Sequence, residues 1–295
     1  MYTIPSDLLA LYPFHNSPKN YLKLDCGHVM HFLDEGQGTP ILMLHGNPSW
    51  SFLYRDAVKA LRKQFRCIVP DHIGCGLSEK PQDYAYTLDQ HINNIISLVE
   101  HLKLERFHLM VHDWGGPIGF GVAQHFANRV ERIIITNTSG FLSNRISARI
   151  NLCRTPILGE FMIRGFNAFA LGATYMCVAN KMDPLVRKGF CFPYNNWETR
   201  IATARFVQDI PMADSHPSYK RMVTIEENLS LFKGKPMLIC WGGKDFCFDD
   251  LFLEGFKERF PRAKVHYFPD AGHYLLEDAG VEVFPLVKDF LETVH

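Results

Sequence analysis

The 295-residue chain has no excess of charge: Lys+Arg and Asp+Glu stand at 31 each. That balance removes any bulk electrostatic case for nucleic acid or an anionic membrane, and argues against a polyanionic substrate. No apolar run approaches the length of a membrane span, and runs such as PILML and RIIIT are strand-sized. The opening stretch MYTIPSDLLALYPFHNSPKN has no basic region followed by an apolar core, so no secretory signal is expected. Eight cysteines (Cys26, Cys67, Cys75, Cys153, Cys177, Cys191, Cys240, Cys247) fall at irregular spacings and none forms C-x-x-C. Zinc and redox motifs are thereby disfavoured, and buried free thiols in a reducing cytoplasm are expected. There is no internal repeat and no low-complexity linker. What the chain does have is 47% apolar and 21% charged residues, enough for one large core with room for an inserted subdomain.

The apolar pattern alternates between two periods. Residues 21–34 read as two short strands around the turn Cys26-Gly27, and strands follow at 41–44, 67–69, 107–111 and 133–135. Helical spacing falls between them, at 52–62, 88–102 and 115–126. Strands apolar on both faces, alternating with helices, predict a parallel sheet covered on each side. The alternation resumes with a strand at 237–240, a helix at 252–260, a strand at 265–267 and a helix at 283–291. From 141 to 214 it breaks: that stretch is rich in Phe, Met, Asn and Arg and has no strand run. The expected architecture is an α/β-hydrolase fold: an eight-stranded, mainly parallel sheet with flanking helices. Residues 1–140 and 215–295 would form the core, and 141–214 an inserted helical cap.

One segment ends a buried strand and opens a glycine-rich helix: Val111-His112-Asp113-Trp114-Gly115-Gly116. A sharp strand-to-helix turn there exposes one side chain above the sheet, next to a helix N-terminus that favours an anion. Serine hydrolases carry G-x-S-x-G at such a turn, whereas the central residue here is Asp113. Aspartate before a helix is also an ordinary N-cap, so the rest of the constellation decides the reading. The loop His45-Gly46-Asn47-Pro48 follows an earlier strand, where this fold draws one oxyanion-hole amide; the residue after the nucleophile supplies the other. Those positions are Asn47 and Trp114, each of which also has a side-chain N–H donor. The simpler alternative makes them a turn residue and a packing aromatic. Trp241-Gly242-Gly243-Lys244-Asp245 follows a later strand with a carboxylate, and Asp270-Ala271-Gly272-His273-Tyr274 follows the last with a histidine. The order nucleophile, acid, histidine is that of the fold. Asp249 and Asp250 are rivals to Asp245 that read better as the start of a helix, and Asp71 reads as holding a turn.

An aspartate nucleophile has a chemical consequence. Serine attacking an sp³ carbon would leave an ether that activated water cannot readily cleave, whereas a carboxylate leaves an ester that histidine-activated water can hydrolyse. The expected reaction is displacement at carbon, with a halide, an epoxide oxygen or a strained ring oxygen leaving. Asp113 is expected to be partly exposed, so that its replacement should cost little stability.

The set His45-Gly46-Asn47-Pro48, His112-Asp113-Trp114-Gly115-Gly116, Asp245 and His273 resembles the haloalkane dehalogenases over nearly the whole chain. The resemblance implies Asp113 as nucleophile, His273 as base, Asp245 as its orienting acid, and Asn47 with Trp114 as halide donors. Members that carry their acid after the preceding strand have Glu where this sequence has Asn137, which points to the family's third branch. That branch tends to associate, which suggests a homo-oligomer. Segments such as Pro193-Tyr194-Asn195-Asn196-Trp197 and Phe206-Val207-Gln208-Asp209-Ile210-Pro211 also look like β-lactone decarboxylases of long-chain olefin biosynthesis, which share the same Asp, His, Asn and Trp. A small apolar substrate suits both. Neither a metal nor an organic cofactor is implied. Epoxide hydrolases share the H-D-W-G turn but need two cap tyrosines, for which Tyr175, Tyr194 and Tyr219 are candidates. Fluoroacetate dehalogenases have Arg after the nucleophile, where this chain has Trp114. A scaffold kept only for binding would be expected to have lost a catalytic part.

Overall fold

In the computed structural model, which describes residues 4–14 and 18–293, the short apolar runs become eight strands of one sheet. They are β1 (Tyr21–Lys23), β2 (Val29–Glu35), β3 (Pro40–Leu44), β4 (Arg66–Pro70), β5 (Phe107–Asp113), β6 (Val130–Thr138), β7 (Met237–Gly242) and β8 (Lys264–Phe268). Their spatial order is β1-β2-β4-β3-β5-β6-β7-β8. The pairs β1–β2 and β2–β4 are antiparallel, and every later pair is parallel. The expected fold is therefore the one observed.

Alternate residues of each central strand enter different cores. Leu42, Leu109, Ile133 and Ile239 join the layer under the helices Leu88–His101, Gly115–His125 and Asp250–Arg259. Met43, Met110, Ile134 and Leu238 join the opposite layer, under Arg55–Leu61 and Gly280–Glu292. The helix Leu88–His101 starts where Thr87 accepts a hydrogen bond from the Gln90 amide, and it buries Ile92, Ile95, Leu98 and Val99.

Differences from the sequence reading have local causes. The helix expected over 52–62 begins as a 3₁₀ turn, Ser51–Tyr54, before becoming α-helical at Arg55. The strand β8 lies at the border of the sheet and leaves Val265 and Tyr267 exposed. Cys26 is exposed in the β1–β2 turn, whereas Cys67, Cys75, Cys177 and Cys240 are buried; all eight cysteines are free. The reading of the N-terminal stretch as carrying no leader falls partly on residues 1–3 and 15–17, which lie outside the described residues. Between β6 and β7 the described residues form helices and turns without a strand, including Ala148–Cys153, a π-helical turn Phe161–Gly165, Ala168–Met176 and Ile201–Gln208.

Candidate active site

The carboxyl ends of the parallel strands bring the predicted residues together, as expected for an open α/β sheet. Asp113 ends β5 with φ +53°. Aspartate tolerates this left-handed region better than most residues, because its short polar side chain bonds locally. Two close approaches fix the turn. A Cβ on Gly46 would collide with the Asp113 carboxylate, and one on Gly115 with the Leu44 carbonyl, so the β3 loop and the β5 turn meet only with glycine at both positions.

Asp113 Oδ1 accepts the Asn47 amide N–H at 2.7 Å, and the Trp114 amide also hydrogen-bonds the carboxylate. These backbone amides, expected to line an oxyanion hole, are thus turned on Asp113 itself. Their side chains do not hydrogen-bond the Asp113 carboxylate. The Asn47 amide group donates one hydrogen bond to the Thr203 carbonyl at 3.1 Å, and the Trp114 indole N–H has no partner among the described residues. Trp114 packs on Phe206, ring centres 5.3 Å apart. Asp113 is also 8% exposed rather than partly open, since the walls around it leave only the cavity face free. Burial pushes its carboxyl above the usual range, while His273 and the two amides pull it down.

His273 Nε2 lies 3.8 Å from Asp113 Oδ2, and its Nδ1 donates to Asp245 Oδ2 at 2.7 Å. Burial opposes a charged imidazole, but the Asp245 and Asp113 carboxylates outweigh it and raise His273 above its ordinary value. Asp245 is held in turn: its Oδ1 accepts the Cys247 amide at 2.6 Å and its Oδ2 accepts Asn137 Nδ2 at 3.0 Å. Asn137 exchanges two further bonds with the Gly242 backbone. Asn137, which entered the sequence reading only as a departure from a family pattern, is therefore a support for Asp245. A second support was not assigned at all: His112 Nε2 donates to the His273 carbonyl at 2.8 Å and fixes that loop. Its place beside Asp113 was the only available signal. Burial keeps His112 well below the usual imidazole range, hence neutral.

The rival residues go elsewhere. Asp71 accepts the Ser51 and Leu77 amides and pairs with His31, holding a turn as expected. Asp249 caps the helix Asp250–Arg259 through the Leu251 amide. Asp245, Cys247 and His273 place metal-capable atoms within 4.8 Å of one another, but a hydrogen bond of 2.7 Å already joins two of them as an acid–base pair.

Asp113, Asn47, Trp114 and His273 open on a cavity of about 190 Å³ whose far walls are mainly apolar, including Ile150, Phe169, Val207 and Phe248. No tyrosine among the described residues lines it. Tyr175 is exposed and bonded to Arg187, Tyr194 is buried against the Ser49 carbonyl, and Tyr219 starts a separate helix. The epoxide reading thereby lacks its activating pair.

A strand-end carboxylate held by backbone amides, a histidine–aspartate pair and an apolar cavity on this sheet define a class. The chain belongs to the α/β-hydrolase fold family, whose model matches residues 39–280. It is an enzyme of the haloalkane-dehalogenase-like kind. It is 45% identical over 272 residues to a cis-3-alkyl-4-alkyloxetan-2-one decarboxylase of Shewanella oneidensis, spanning 90% of this chain and 86% of that one. A decarboxylase of the same name from Xanthomonas campestris is 42% identical over 294 residues, 95% of this chain and 98% of that one. Haloalkane dehalogenase 2 of Mycobacterium tuberculosis is 33% identical over 276 residues, 91% and 92% of the two chains. The crystal structure of haloalkane dehalogenase DbeA from Bradyrhizobium elkani shares the fold, with a TM-score of 0.82 over 92% of this chain and 97% of that one at 22% identity.

Proposed function

We propose that this enzyme opens cis-3,4-dialkyl β-lactones with Asp113 and releases an alkene and carbon dioxide. The observation that carries the reading is a carboxylate fixed by two amides at the floor of an apolar cavity, with His273 near but not hydrogen-bonded to it. An ionised carboxylate needs no base to attack carbon. Attack at ring carbon C4 breaks the C4–O1 bond, and the departing oxygen becomes part of a carboxylate still joined to C3. The electron pair of the C3–carboxylate bond then forms the C3=C4 double bond, carbon dioxide leaves, and Asp113 departs from C4 with its electron pair. Lactone becomes alkene and carbon dioxide, without water or cofactor. Inversion at C4 followed by anti departure gives the cis-alkene from the cis-lactone. The choice of lactone is supported by the two decarboxylases at 45% and 42% identity, against 33% for the dehalogenase. Gas chromatography of a cis-dialkyl β-lactone incubation tests it: cis-alkene is expected, and hydroxy acid alone would overturn it.

A second reading, halide displacement from a 1-haloalkane, shares the first step. The Trp114 indole N–H, without a partner among the described residues, favours it, because Trp114 and Asn47 both line the cavity. There the ester on Asp113 is hydrolysed by water that His273, steadied by Asp245, deprotonates.

In either case Asn47 and Trp114 hold the leaving group. Asn47→Ala or Trp114→Phe should lower turnover by about 10²–10³, the usual cost of one preorganised donor. Halide should quench Trp114 fluorescence in the parent and not in Trp114→Phe. Normal kinetics in both variants would leave the donors without a role.

The pH profiles of the two reactions should separate. Hydrolysis needs neutral His273, whose folded value is raised above 6.5, so halide turnover rises with pH through that raised value and is lost below it. Alkene formation needs only ionised Asp113. Its acid limb follows the Asp113 carboxyl instead, which burial raises above 3.8. Coincident acid limbs for the two products would contradict this division of labour.

Residues 141–214 act in this scheme as a cap over a core of 1–140 and 215–295, since much of the cavity wall away from Asp113 comes from that segment. We place the protein in the cytoplasm as a homo-oligomer. The eight free thiols support the compartment, no helix among the described residues is long and apolar enough to cross a membrane, and light scattering reads the assembly.

A further inference from the structure

The overall charge balance hides a local imbalance. Between 141 and 182 the chain has five basic residues (Arg145, Arg149, Arg154, Arg164, Lys181) and one acidic residue, Glu160, a net +4 in a chain whose total is zero. Glu160 is engaged by Arg164 at 2.7 Å and by Arg205 at 3.8 Å. Arg149, Arg154 and Lys181 have no carboxylate partner among the described residues. The same segment concentrates exposed apolar surface. Of fourteen large apolar side chains exposed among the described residues, eight lie between 152 and 176. Ile157 is 86% and Phe166 69% exposed. Phe161 follows Ile157 by one helical turn and packs edge-on against Phe166, ring centres 5.3 Å apart.

Ile157 sits at a strained turn of the backbone. Ile157 has φ +63° and ψ −64°, with the Leu158 amide bonded to the Pro156 carbonyl, a tight γ-turn that is costly for a β-branched residue. An exposed side chain held at that cost needs a use outside the folded core. The patch also leads inward, since Met176 and Arg149 are both exposed and both line the cavity above Asp113.

We propose that this face, from Leu152 to Met176, docks on an anionic lipid bilayer, its apolar side chains entering the interface while Arg149, Arg154 and Lys181 meet the headgroups. Charge complementarity selects the occupant. A second copy of this chain would set the same unpaired cations against each other, whereas anionic lipid neutralises them and accepts the apolar cluster. The placement rests on the substrate reading in one respect: a lipid-soluble molecule would pass from the bilayer past Met176 into the cavity. Binding itself does not depend on which substrate is turned over.

The test is flotation of the full chain with vesicles of phosphatidylglycerol and phosphatidylethanolamine, compared with phosphatidylcholine alone. Binding to the anionic vesicles, weakened by salt, is expected. Ile157→Asp/Phe166→Asp should reduce the vesicle-bound partition about tenfold or more, since each change removes a large apolar group from the interface. Arg154→Gln/Lys181→Gln should lose the preference for anionic lipid. Neither Ile157 nor Phe166 lines the cavity, so turnover of a water-soluble short-chain substrate should match the parent and verify the fold. No flotation, equal flotation of the parent and the apolar double variant, or a dimer abolished by that variant without vesicle binding would each overturn the proposal. If flotation holds while lactone and haloalkane both fail as substrates, the docking face stands and the reaction assigned above falls.

Discussion

Asp113→Ala is expected to abolish turnover of β-lactone and haloalkane alike, by on the order of 10⁴ or more, because it removes the carboxylate that the Asn47 and Trp114 amides hold at the strand end. The variant has a stability complication that the structure exposes. Asp113 is buried and has φ +53°, and alanine in that region costs about 1–2 kcal/mol. Asp113→Asn is the cleaner partner, since asparagine keeps the shape, accepts the Asn47 amide and tolerates the backbone angle. It should be equally inactive. Burial raises the Asp113 carboxyl, so the folded protein favours its neutral form. That contribution is complete below the ordinary carboxyl value of 3.8 and is lost as pH rises through the folded value. The Asp113→Asn protein should therefore melt at or above the parent near neutral pH, the gap closing as pH falls toward 3.8. A folded, inactive Asp113→Asn protein is the expected result, and one retaining most activity would remove the nucleophile assignment.

His273→Phe should divide the two chemistries. With a 1-haloalkane, displacement proceeds without proton transfer and the ester then has no base to hydrolyse it. One equivalent of halide should appear, turnover should cease, and mass spectrometry should find the alkyl mass on Asp113. With a cis-dialkyl β-lactone the same variant should continue to release alkene and carbon dioxide, because fragmentation expels Asp113 without water. A stalled adduct carrying the whole lactone would show that His273 is needed for carbon dioxide loss. Absence of an alkyl adduct from 1-bromoalkanes, with no halide from the parent across chain lengths, would end the dehalogenation reading and leave lactone opening alone.

The supports of these groups were less legible than the groups themselves. Asp113, Asp245 and His273 could be found because each follows a strand, and strand ends of a parallel sheet share one edge. The apolar runs at 41–44, 107–111 and 237–240 declare those strands by composition alone, since a strand covered on both faces must be apolar throughout. Asn137 and His112 act through bonds to Asp245 and to the His273 carbonyl, 108 and 161 residues away in sequence. No spacing rule encodes such a contact.

The sequence by itself determined the α/β order, the elbow aspartate, the histidine–acid pair and the break in the pattern at 141, all of which depend on local periodicity or on a motif next to a strand. The tertiary structure decided that the Asn47 and Trp114 backbone amides bind Asp113. It also decided that Asp113 is buried, that no tyrosine among the described residues reaches the cavity, and that Ile157, Phe161 and Phe166 stay exposed. Those properties depend on which distant residues share a wall or a face, and long-range packing alone sets that.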